Sequence, residues 1–125
     1  MKAEVLIYIG AALPFLWGAA HLFPTRSIIQ GFGDISADNR HIITMEWLIE
    51  GAALIFIGSL VALVTFLGPQ DNIATAVYLS TSACLLVLAV ISLFTGFRIN
   101  FLPFKLCPFI FASAAILITT GWKIL

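Results

Sequence analysis

Two carboxylates, Glu46 and Glu50, stand four residues apart near the start of an otherwise apolar run, "HIITMEWLIEGAALIFIGSLVALVTFLG", from His41 to Gly68. Residues at i and i+4 share a helical face, so two anions placed there repel each other. An ionisable side chain within a membrane span is costly and marks a functional candidate. The preceding apolar segment carries Gly10, Pro14, Gly18 and His21 at spacings of four, four and three. That stripe is small along most of its length and ends on an imidazole. Small residues let helices approach closely in lipid. The short connection between the two segments predicts antiparallel neighbours, with His21 at the depth of Glu46 and Glu50. Arg98 and Asn100, from a later loop on the same side, complete the expected cluster, and His41 sits at its rim.

Three chemistries suit such a cluster. As a metal site, His21, Glu46 and Glu50 offer the imidazole and carboxylate donors that zinc, iron or manganese accept. As a proton relay or cation path, the same groups need only line a polar cavity. As a ligand site, a histidine or glutamate above an apolar slot hydrogen-bonds the head of a lipophile such as a quinone. The structural alternative is an interfacial ion pair, such as Glu50 with Arg98, that only fixes helix packing. The loop "DISADNRHIITME" places Asp34, Ser36 and Asp38 at positions 1, 3 and 5 of a calcium-loop template. Asn39 stands where that template needs glycine, and Glu46 comes one residue late, so the loop is read instead as a helix cap from Ser36 or Asp34.

The elements that must position these groups are membrane helices. Of 125 residues, 62% are hydrophobic and 10% charged, far more apolar than soluble domains. Four segments, about residues 5–23, 42–67, 73–95 and 106–125, reach the roughly 20 residues that cross a bilayer as helix. The expected fold is therefore all-α, a single integral membrane four-helix bundle in contact with the lipid bilayer. Pro24, the Gly68-Pro69 turn, Gly96 and Pro103 punctuate the connections, Pro108 falls in the first turn of the fourth helix, and Pro14 lies mid-helix. Thr25 caps a short turn through Ile29, and Ile28, Ile29 and Phe32 are candidates for an interfacial segment or a lid over the cluster. A formal net charge of zero, with no basic run, gives no reason to expect nucleic acid.

Arg26, Arg40, Arg98 and Lys105 lie in the first and third loops, against Lys2 and Lys123 on the other side. The positive-inside bias puts loops one and three in the cytoplasm and both termini outside. Cys84 and Cys107 fall at different depths and are read as unbridged. Trp17, Trp47 and Trp122 fit the interfacial aromatic belts, and the hydroxyls of Ser80, Thr81 and Ser82 fit helix contacts. Gly51 and Gly58 lie seven apart on one face, a surface for a homo-oligomer or a membrane partner subunit. No nucleophile elbow, phosphate loop or Cys-x-x-Cys occurs.

The motifs "WGAAH" late in the first helix and "IEGAALIFIG" in the second, with chain length and helix count, resemble the small DoxX-like membrane proteins. Some of those are linked to oxidation of sulfur compounds feeding quinone. By that resemblance Glu50 and His21 are the polar site positions. The leading expectation is a membrane protein binding a small ligand or cofactor, a quinone or a divalent metal, at an intramembrane His/Glu site, as an accessory subunit in redox chemistry. The alternatives are an oligomeric carrier or channel for protons or small cations, and a purely structural subunit.

Overall fold

A computed structural model describes residues 2–125. Five helices follow one another: α1 (Ala3–Leu22), α2 (Thr25–Gly31), α3 (Ala37–Leu67), α4 (Asn72–Gly96) and α5 (Leu102–Lys123). All but α2 are long and apolar enough to cross a membrane, so the bundle has the four spanning helices the hydropathy predicts. No strand occurs among the described residues.

The helix ends follow local chemistry. Ser36 Oγ accepts the backbone N–H of Asn39 at 3.2 Å, the expected cap of α3. The spanning part of α3 is preceded by a polar turn through Asp38, Arg40 and His41, so it starts five residues before the predicted 42. α5 likewise begins at Leu102 and not 106, which places Pro103 in its first turn and Pro108 inside the helix. Pro108 has no N–H for the carbonyl of Phe104. The α-carbon of Gly96 packs against that same carbonyl, where a methyl group would come within 2.5 Å. Thr25 does not cap forward into α2. Its hydroxyl donates back to the Leu22 carbonyl at 2.6 Å, closing the end of α1.

Three of the four possible side-by-side contacts are extensive: α1 lies along α3 and along α5, and α4 lies along α5. α3 and α4 meet only lightly. The α1–α3 seam runs through glycines, because a Cβ on Gly18 would stand 2.6 Å from the Gly51 carbonyl and one on Gly58 2.5 Å from the Ala11 carbonyl. This corrects the expectation for Gly51 and Gly58: their face is taken by α1 of the same chain and is not free for a second copy or partner. Gly10 and Gly121 make the equivalent close seam between α1 and α5. Ile7, Leu54, Val61, Tyr78, Leu85 and Ile118 fill the core. Leu16, Phe56, Phe66, Val87, Phe94 and Ile116 point outward, as lipid-facing side chains should.

Near the α3–α4 turn the two helices are bolted. Thr65 Oγ1 donates to the Val61 carbonyl at 2.6 Å and lies 2.9 Å from Tyr78 Oη. With its own proton committed, the threonine accepts, so Tyr78 donates. Away from that bolt α3 and α4 separate and leave a cleft.

Candidate functional site

His21, in the last turn of α1, and Glu50, in α3, meet at the end of the bundle formed by loop one and the α4–α5 connection. Nε2 of His21 lies 3.6 Å from a Glu50 carboxylate oxygen, beyond hydrogen-bond length. The imidazole side chain is only 9% exposed, and its Nε2 is buried without any hydrogen-bond partner. The Glu50 side chain is 53% exposed. It faces the cleft, which has a volume of about 460 Å³ and runs between α3 (Glu50, Ala53, Ile57) and α4 (Leu88, Ile91, Thr95), floored by Phe104, Cys107 and Phe111 of α5. The hydroxyls in its wall are internally satisfied: Ser92 donates to the Ala89 carbonyl and Thr95 to the Ile91 carbonyl. Glu50 is thus the one carboxylate of the cleft wall, and its polar capacity is unspent.

Trp47 fixes the imidazole. Its ring stacks on His21 at a centroid distance of 3.7 Å with an interplanar angle of 16°. Its indole N–H donates to the His21 carbonyl at 2.9 Å, satisfying one of the acceptors that a helix C-terminus leaves open. Trp17 and Trp47 are half-buried and line a second, smaller cavity of about 180 Å³, together with His21, Phe101, Phe104 and Ile28. The aromatic rings form a chain, with Trp47 edge-on to Phe104 at 5.9 Å and Phe104 tilted against Phe101 at 5.7 Å. Phe104 and Cys107 border both cavities. Ile28 of α2 closes over the smaller one and Ile29 is buried, while Phe32 remains exposed.

The predicted cluster is therefore only partly assembled. His21 and Glu50 come together. Glu46, one turn earlier, is exposed and joins no ion pair among the described residues. Arg98 and Asn100 are exposed and line neither cavity, whereas their neighbours Ile99 and Phe101 do. The proposed Glu50–Arg98 pair is absent among the described residues. No three His, Cys, Asp or Glu residues converge to hold a metal there either, so the His21, Glu46, Glu50 ligand set is not brought together. Both cysteines are free, Cys84 exposed and Cys107 buried. Trp47, Phe104 and Cys107 are site residues that sequence reasoning missed. The signal for Trp47 was its position between the two glutamates, which the belt reading absorbed. Trp122, at the far end, donates to Thr75 Oγ1 at 3.2 Å.

No protein-family model, curated protein or solved structure matches the chain.

Proposed function

We propose that this small integral membrane protein binds a bilayer-resident amphiphile, its apolar part between α3 and α4 and its polar head at Glu50. One observation carries the reading: a cleft with apolar walls, of a size usual for ligand sites, ends on a carboxylate that has no lysine or arginine within 4.0 Å among the described residues. Glu50 lies about 5 Å inside the apolar run that begins at Trp47, counting 1.5 Å per residue. That depth suits the head of a membrane lipophile. A role beside a membrane redox enzyme accords with the DoxX-like resemblance of "WGAAH" and "IEGAALIFIG".

The carrier reading has less support. Beyond Glu50 and His21, neither α3 nor α1 has another carboxylate, imidazole or ammonium until the opposite end, and α4 has none at all. A proton or cation leaving Glu50 would cross about 22 Å before the level of Thr65, with no charged group to receive it.

The test is to fill the cleft. Ala53 is exposed on its wall, so Ala53→Trp should occupy the space without entering the core. Organic extracts of detergent-purified parent protein should contain a lipophile in near-molar ratio, and extracts of Ala53→Trp should lack it at an unchanged melting temperature. Identical extracts from the two proteins would overturn the reading.

A further inference from the structure

We infer that the head bound at this site is a cationic ammonium, held by the Glu50 carboxylate beside Phe104, the aromatic wall that the cleft shares with the smaller cavity. The inference rests on the cleft reading above and adds the chemical class of the ligand. Three observations support it. First, Glu50 is the one carboxyl group in the cleft wall, and no lysine or arginine lies within 4.0 Å of it among the described residues. An anionic head would meet the like charge of the Glu50 carboxylate there. Second, His21 Nε2 lies 3.6 Å from the Glu50 carboxylate and is itself nine-tenths buried and unpartnered. The pair stands too far apart to satisfy either member. Third, the neighbouring cavity is walled by Trp17, Trp47, Phe101 and Phe104.

Its volume of about 180 Å³ is below that of a site for a whole drug-sized molecule, which starts near 300 Å³, but it suits one head group. Tryptophan and phenylalanine faces attract an onium ion placed within about 6 Å of the ring centroid. A quinone carbonyl, by contrast, is an acceptor and is not drawn to an ionised carboxylate. Phe104 and Cys107 border both cavities, so Phe104 is the aromatic wall that a head at Glu50 shares with the α3–α4 cleft. The ammonium can belong to a free long-chain amine or to the head of a zwitterionic lipid.

A head-group series on the unmodified protein tests this. Decyltrimethylammonium, decyl sulfate and decanol share one tail and differ in charge. Each is titrated against the lipid-free protein in maltoside micelles, reading the intrinsic tryptophan fluorescence, with Trp17 and Trp47 near the site and Trp122 at the far end. The ammonium should give a saturable change, decyl sulfate none, and decanol binding weaker by about ten-fold or more, the loss expected when a desolvated charge contact is removed. Glu50→Gln should weaken the ammonium by a similar factor and leave decanol unaffected. Competition by dihexanoylphosphatidylcholine would assign the head to a lipid, and its failure to compete would assign it to a free amine. Equal binding of all three probes would overturn the cationic head while leaving the cleft reading intact. No saturable binding of any probe would remove both.

Discussion

Glu50 lines the α3–α4 cleft beside the His21 imidazole, with its side chain 53% exposed. A charged residue exposed to hydrocarbon at mid-bilayer costs about 2.5–3.5 kcal/mol on insertion scales, and Glu50 sits near the end of its span. Glu50→Gln keeps the shape and part of the hydrogen-bonding capacity, so the melting temperature should stay within a few degrees of the parent. The Thr65–Tyr78 bolt gives a sharper test of how polar pairs act inside this bundle. Thr65→Val strips Tyr78 of its buried acceptor, which should cost about 1–3 kcal/mol. Tyr78→Phe removes the donor and leaves Thr65 bonded to Val61, and should cost about 1 kcal/mol or less. The double variant should be more stable than Thr65→Val alone, as measured by reversible denaturation in mixed micelles. Strict additivity of the two losses would show that the hydroxyls do not act as a pair. Neither side chain declares the other in the sequence: they are thirteen residues apart across a turn, and only the packed helices bring them together.

The spanning helices were legible because hydropathy and the bilayer fix their length, and the Ser36 cap because its donor is local. What the sequence left open was which neighbour each face meets. Gly51 and Gly58 form a small-residue face in any reading, but only the fold tells whether a second chain or α1 covers it. The same ambiguity displaced Arg98 and Asn100: their loop alternates, and Ile99 and Phe101 took the cavity positions. The glycine seam makes a direct prediction. In Gly18→Ala the new methyl would press on the Gly51 carbonyl, Leu54 Cβ and the Ile55 nitrogen, all within 2.9 Å. Two of those three are backbone atoms and cannot yield without separating α1 from α3. The cost should be about 1–3 kcal/mol, as for other overpacked sites. Gly31, at the end of α2, has open space around its α-carbon. Gly31→Ala should leave stability unchanged or raise it by up to about 1 kcal/mol. Equal thermal shifts for the two alanines would mean that α1 and α3 are not in the close contact described.

The two ends of the molecule differ in their chemistry. Gln70 of the α3–α4 turn donates to the carbonyl of Leu125 at 3.2 Å, and Gly121 packs on the Ala3 carbonyl, so both termini share an end with that turn. The other end gathers loop one, the α4–α5 connection and the His21–Glu50 site. It also carries four of the six basic residues, Arg26, Arg40, Arg98 and Lys105, with only Lys2 and Lys123 opposite. Lysine and arginine flanking the spans bias an end toward the cytoplasm, so we propose that the site opens on the cytoplasmic leaflet and that its ligand is drawn from that leaflet. A cysteine at Ser27, which is exposed in α2 and caps nothing, should escape an impermeant maleimide in intact cells and react after lysis. Cys84→Ala removes the exposed native thiol from the background. A cysteine at Gln70, at the opposite end, should react in intact cells. The reverse pattern would place Glu50 in the outer leaflet and give the cleft a different pool of amphiphiles to draw on.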